Sequence, residues 1–170
     1  MEKTSLCLSS NLQAKFLTER YFVPFVLVKF KIVHWLNFSL FLRLVCMDRI
    51  NEISSEIIKA GIEVHRALGC GLLESAYQKC LASELRLNGL RVESEVELPV
   101  VYRDMRLEKA YRVDLLVERT VIVEIKSVAE VSTKHRMQLL TYLRLANKKL
   151  GLLINFGRPL LRDGIVRVIN

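Results

Sequence analysis

The sequence predicts an α/β fold, a central β-sheet flanked by helices, and three observations carry that prediction. Two stretches of helical periodicity come first, about Ile53–Leu68 and Leu72–Asn88. Short aliphatic runs follow. The clearest two, Tyr111–Val117 and Val121–Lys126, are joined by the polar Glu118-Arg119-Thr120. A third helical stretch, Ser132–Asn147, then separates that hairpin from two more runs, Gly151–Phe156 and Gly164–Ile169.

A chain of 170 residues is one domain by default and can bury a sizeable core. Residues 1–46 look foreign to it. They hold six of the seven Phe and the only Trp, Trp35, and the apolar stretch Tyr21–Cys46 is broken by Lys29, Lys31 and Arg43. Its longest uncharged run, Ile32–Leu42, is eleven residues, against about 20 for a spanning helix. The order of a signal peptide is missing. The expectation is therefore an N-terminal extension, 1–46, outside a working domain at 47–170 that begins at Met47. Membrane association of residues 21–46, as an interfacial helix or a short span, is the less favoured reading.

In the first helix Ile53, Ile57, Ile58, Ile62, Ala67 and Leu68 form the apolar stripe, and Asn51 or Ser54 can cap its start. Gly69-Cys70-Gly71 ends it in a sharp turn. His65, alone near its end, reads as structural. The second helix carries Leu73, Tyr77, Leu81 and Leu85 on one stripe, with Gly89 as its C-terminal cap. Glu74 stands in its first turn. A carboxylate is favourable there for the helix dipole alone, and it can equally point at the hairpin as an additional acid. Strands are expected at Arg91–Glu97 and Val100–Tyr102, divided by Pro99, with a turn at Arg103–Arg106.

The hairpin sets the chemistry. Side chains alternate faces along a strand, so Ile122, Glu124 and Lys126 share one face, and Asp114 shares one with Arg112 and Leu116. A three-residue loop makes paired numbers sum to 238 and sets Asp114 directly opposite Glu124. Two carboxylates that close repel unless a proton or cation lies between them. An Asp, a Glu and a Lys amid an apolar hairpin are costly unless a site needs them; an ordinary solvated face with a plain ion pair is the bland alternative. In the third helix Gln138 and Tyr142 share a face, and Leu139, Leu140 and Leu143 supply the buried side.

Charge and cysteines limit the rest. Formal net charge is +8. Residues 1–46 carry six basic and two acidic residues and 47–170 carry twenty and sixteen, so each part contributes +4. The domain is mildly basic, which suits a polyanionic partner. Cys7, Cys46, Cys70 and Cys80 form no CxxC and have no His at finger spacing, so they read as reduced thiols in a cytoplasmic protein. A phosphate-binding glycine loop, a nucleophile elbow and an HExxH motif are all missing.

Asp114 followed by Glu124-Ile125-Lys126 on the next strand resembles the PD-(D/E)xK nuclease superfamily, with Val113 where the name has Pro. Gln138-Leu-Leu-Thr-Tyr142 looks like the QxxxY helix motif of RecB-like members. Gly71-Leu-Leu-Glu74-Ser-Ala-Tyr77 is similar to the signature of the GxxExxY protein family, a bacterial branch of that superfamily. The resemblance spans about Asp48–Asn170. It implies a restriction-endonuclease-like core, a mixed sheet flanked by helices, and a Mg²⁺-dependent nuclease, with Mn²⁺ as substitute cation, hydrolysing phosphodiester bonds in DNA. Asp114, Glu124 and the Ile125 carbonyl would be ligands, with Glu74 a further one, direct or through water. Lys126 would orient the attacking water, and Gln138 and Tyr142 would position substrate. The competing expectation is a catalytically inactive nucleic-acid-binding or assembly protein that retains the fold.

Overall fold

The computed structural model describes residues 47–170. Expectations about residues 1–46, including membrane association of 21–46, lie outside the described residues. Among those described, no helix is long and apolar enough to cross a membrane.

Helix α1 runs through residues 47–68, and α2 spans Glu74–Leu87. Strands β1 (Val92–Tyr102), β2 (Met105–Val117) and β3 (Val121–Lys126) follow, then α3 (Thr133–Leu145), β4 (Leu150–Asn155), a 3₁₀ turn (Leu161–Gly164) and β5 (Ile165–Ile169). The five strands form one sheet in the order β1-β2-β3-β4-β5. β3 and β4 pair in parallel and the other neighbours are antiparallel, so the sheet is mixed, as expected. A parallel pair needs a crossover, and α3 is that crossover.

The alternation in β3 separates two cores. Val121, Val123 and Ile125 pack with Ile53, Ile57, Tyr77 and Leu81 on the α1/α2 side. Ile122 packs on the other side with Leu139, Tyr142, Leu143 and Leu153. On α3 the buried positions are Leu139, Tyr142 and Leu143, with Leu140 only half buried, so Tyr142 takes the place expected of Leu140. Leu73 also departs from expectation: it is the N-cap residue of α2 and 78% exposed, because the helix begins one residue later.

β1 runs straight through Pro99. The ladder absorbs it by shifting register between Leu98 and Val100, and β1 is an edge strand, where a missing N–H costs little. The expected turn at Arg103–Arg106 shrinks to two residues, Arg103 and Asp104, with Arg103 at φ 52°. β1 and β2 thus form one long ribbon whose far half extends past β3.

Candidate active site

The hairpin register is the expected one: Val117 pairs with Val121, Leu116 with Ile122 and Leu115 with Val123. The ladder stops there. Asp114 does not oppose Glu124 across an unbroken ladder; its Oδ2 accepts the N–H of Ile125 at 2.8 Å. The strands diverge at this point, and the freed amide of β3 takes a side-chain partner instead of a backbone carbonyl. Face alternation breaks with it. Val113 packs in the α3-side core and Leu115 in the α1/α2-side core, whereas regular alternation would place both on one face. Gln78 from α2 caps the break, its Nε2 donating to the Asp114 carbonyl at 2.9 Å.

Glu124 is 3% exposed. Its Oε1 accepts from Lys126 Nζ at 2.7 Å, and its Oε2 is buried without a hydrogen-bond partner. Burial, then the nearby Asp114 charge, push the Glu124 carboxyl up to about 7, with Lys126 pulling the other way. Asp114 is also raised by burial, against the Ile125 N–H that favours its charged form. Burial alone would lower Lys126, but the hydrogen bond and charge of Glu124, with Glu74 and Asp114 beyond, leave it raised. Burial and the Glu124 charge raise Tyr142 as well.

The glycine turn before α2 brings Glu74 in. Gly71 has φ +115°, a conformation L side chains rarely adopt. Tyr77 is fully buried and stacks on Phe156 with centroids 4.3 Å apart. Its hydroxyl donates to the Gly69 carbonyl at 2.7 Å and accepts from Leu72 N at 3.2 Å, pinning the turn. Glu74 Oε1 then accepts the N–H of Ser127, just past β3, at 3.0 Å, and Ser127 Oγ donates to the Leu72 carbonyl at 2.8 Å. Each residue of Gly71, Glu74 and Tyr77 thus has a physical task at its spacing. Glu74 meets the end of β3, and it lines the same cleft as Lys126. On α3 Gln138 Nε2 donates to the Tyr142 hydroxyl at 2.5 Å, and Gln138 also lines that cleft, about 610 Å³ in volume.

Besides Gln78, two residues escaped the sequence reading. Asn155 is fully buried; its Oδ1 accepts from Val128 N at 3.0 Å and Gly157 N at 3.1 Å, and its Nδ2 donates to the Val128 carbonyl at 2.8 Å. It fixes the loop leaving Lys126. Its signal was there to read: it is the one polar side chain in the run Leu150–Phe156. Gly157 completes the contact, since a Cβ there would lie 2.5 Å from the Val128 carbonyl oxygen. The other is Tyr111, which lines the cleft and meets Tyr142 edge to face at 5.5 Å. His65 has the structural task expected of it, with Nε2 bonded to the Arg158 carbonyl at 2.9 Å.

Among the described residues no three His, Cys, Asp or Glu side chains stand together as a ready metal cage. The donor set nevertheless fits a hard cation. Asp114 spends one oxygen on Ile125 N, and Glu124 has a buried oxygen with no partner. One or two carboxylates with waters are what Mg²⁺ commonly takes.

The mixed sheet presents an acid from one strand and Glu-x-Lys from its neighbour, beside a cleft. Residues 51–168 match the family model of the PD-(D/E)XK nuclease superfamily, and the chain belongs to that superfamily. Its nucleases generally depend on a divalent metal. No curated protein and no solved structure matches the chain.

Proposed function

We propose that this protein is a Mg²⁺-dependent nuclease that hydrolyses phosphodiester bonds in DNA, in the GxxExxY branch of its superfamily, working in the cytoplasm. The observation that carries the reading is Glu124: a buried carboxylate with an unpartnered oxygen, beside a second acid and in contact with a Lys. Such an arrangement is unfavourable in a structural core and is explained by a cation and an anionic substrate. The branch assignment rests on Gly71, Glu74 and Tyr77, whose spacing and contacts form one connected device.

Asp114, Glu124 and the Ile125 carbonyl would hold the metal, with Glu74 a further ligand, direct or through water. A bound divalent cation supplies electrostatic stabilisation to the phosphoryl oxygens. Lys126 orients the attacking water or hydroxide by its ammonium group and stabilises the charge that builds as the new P–O bond forms and the leaving oxygen departs, with the proton of the water passing to solvent and the leaving oxygen taking one from it. Gln138 and Tyr142 fix the α3 wall against which the substrate lies. Residues 47–170 carry all of these groups and form the working domain.

The test presents labelled single- and double-stranded DNA and RNA to the full chain with Mg²⁺ or Mn²⁺. DNA cleavage that disappears in EDTA and falls at least about a hundredfold in Asp114→Ala supports the reading. Nucleic-acid binding without any metal-dependent cleavage would replace it with the competing one, a binding or assembly protein on a nuclease fold.

A further inference from the structure

Tyr111 has no task in the site as described so far. It stands on β2 three residues before Asp114, about 10 Å away at the rise of an extended strand. The ribbon holds it opposite Leu98, and Leu98 is buried in the α3-side core, so its backbone is anchored. Tyr111 itself is 40% exposed and lines the cleft that Lys126 also lines. Its contact with Tyr142 is edge to face, at 61° between planes. Tyr142 is 3% exposed and tied to Gln138, so the supporting ring is rigid. An edge-to-face pair leaves ring surface uncommitted on the exposed member.

The start of α3 supplies groups for a phosphate. Lys134 and His135, in the first turn of α3, line the same cleft. His135 Nδ1 accepts the Ser132 N–H at 3.3 Å, so the neutral ring carries its proton on Nε2. The cleft therefore combines a held aromatic ring, cationic and donor groups, and the reactive end of β3. Its volume of about 610 Å³ lies in the range of pockets that enclose one small molecule, roughly 300–1,000 Å³.

Resting on the nuclease reading above, we propose that Tyr111 is a stacking platform for an unpaired nucleobase, so that the substrate of this cleft is single-stranded DNA. In a duplex both faces of each base are already stacked on neighbours. A base must be unpaired or extruded before an aromatic side chain can take its face. The base lies on Tyr111, its phosphate lies between Lys126 and the Lys134 side of the cleft, and the scissile bond is brought to Asp114 and Glu124. Tyr111 acts here as a specificity-determining residue.

The experiment uses the full chain and a short labelled oligonucleotide in three forms: single strand, duplex, and single strand with one abasic position moved along its length. Affinity is read by fluorescence anisotropy in EDTA, and cleavage separately in Mg²⁺. The single strand should bind more tightly than the duplex. One abasic position should weaken binding about tenfold, and Tyr111→Ala should do the same. In Tyr111→Ala the abasic penalty should vanish, because base and ring belong to one contact. Tyr111→Phe should restore the affinity. The abasic arm leaves the protein intact, so a poorly folded variant cannot imitate the result. Equal binding of all three forms, or an abasic penalty undiminished in Tyr111→Ala, would overturn the platform while Mg²⁺-dependent cleavage still stood. Absence of both binding and cleavage would overturn the platform together with the nuclease reading beneath it.

Discussion

The two faces of the sheet are built from the same strands and to opposite ends. On the α1/α2 face β3 contributes Val121, Val123 and Ile125, all fully buried among aliphatic neighbours and Tyr77. On the α3 face the same strand contributes Ile122, then Glu124 and Lys126. The period of two in a strand lets one segment seal a core on one side and hold charge on the other. The first face seals the larger core, and the second packs a smaller one beside a buried acid that lacks a full set of partners.

This contrast can be tested by breaking each side. The largest stability effect belongs to the sealed face. Leu115 is fully buried there, and Leu115→Ala should lower unfolding free energy by about 3 kcal/mol in urea titration, with refolded protein retaining its metal response. A loss under about 1 kcal/mol would mean that this face is not the stabilising core.

On the charged face the sign reverses. Folding raises the Glu124 carboxyl from 4.5 to about 7, so between those values the folded protein holds a proton that the unfolded chain has released. This group's contribution to stability is therefore most favourable below 4.5 and falls as pH rises to about 7. In EDTA, Glu124→Gln should flatten that slope, read by thermal unfolding across pH. A wild-type stability that rises through this window would contradict the assignment. Smaller still, Tyr142→Phe removes the acceptor of the Gln138 amide. It should cost about 1 kcal/mol of stability while cleavage falls by more than that loss of folded protein explains.

Much of this division was legible beforehand. The three-residue loop predicted the register, and the alternation in Val121–Lys126 predicted which residues share a face. What could not be read was the splay at Asp114. Local pattern says that a strand continues, and only the packing of α2, through Gln78 on the Asp114 carbonyl, shows why it stops. For the same reason the alternation puts Asp114 on a face with Arg112 and Leu116, and not against the backbone of Ile125. Pro99 reads as a strand break in the sequence because an edge position and a bulge are tertiary facts. Tyr142 looked like a positioning residue but not like a core residue, although it is both buried and hydrogen-bonded. Asn155 stands out as the one polar side chain in its run, but no local spacing encodes that its partner is a loop 27 residues away in sequence.

The most direct test of the central claim, that the α3 face is a nuclease site with divided labour, is Lys126→Ala in the full chain. Mg²⁺ binding is followed by calorimetry and DNA cleavage by a labelled strand. Asp114 and Glu124 remain, so the account predicts that cation binding persists while cleavage falls at least about a hundredfold. Cleavage undiminished by the loss of Lys126 would contradict it.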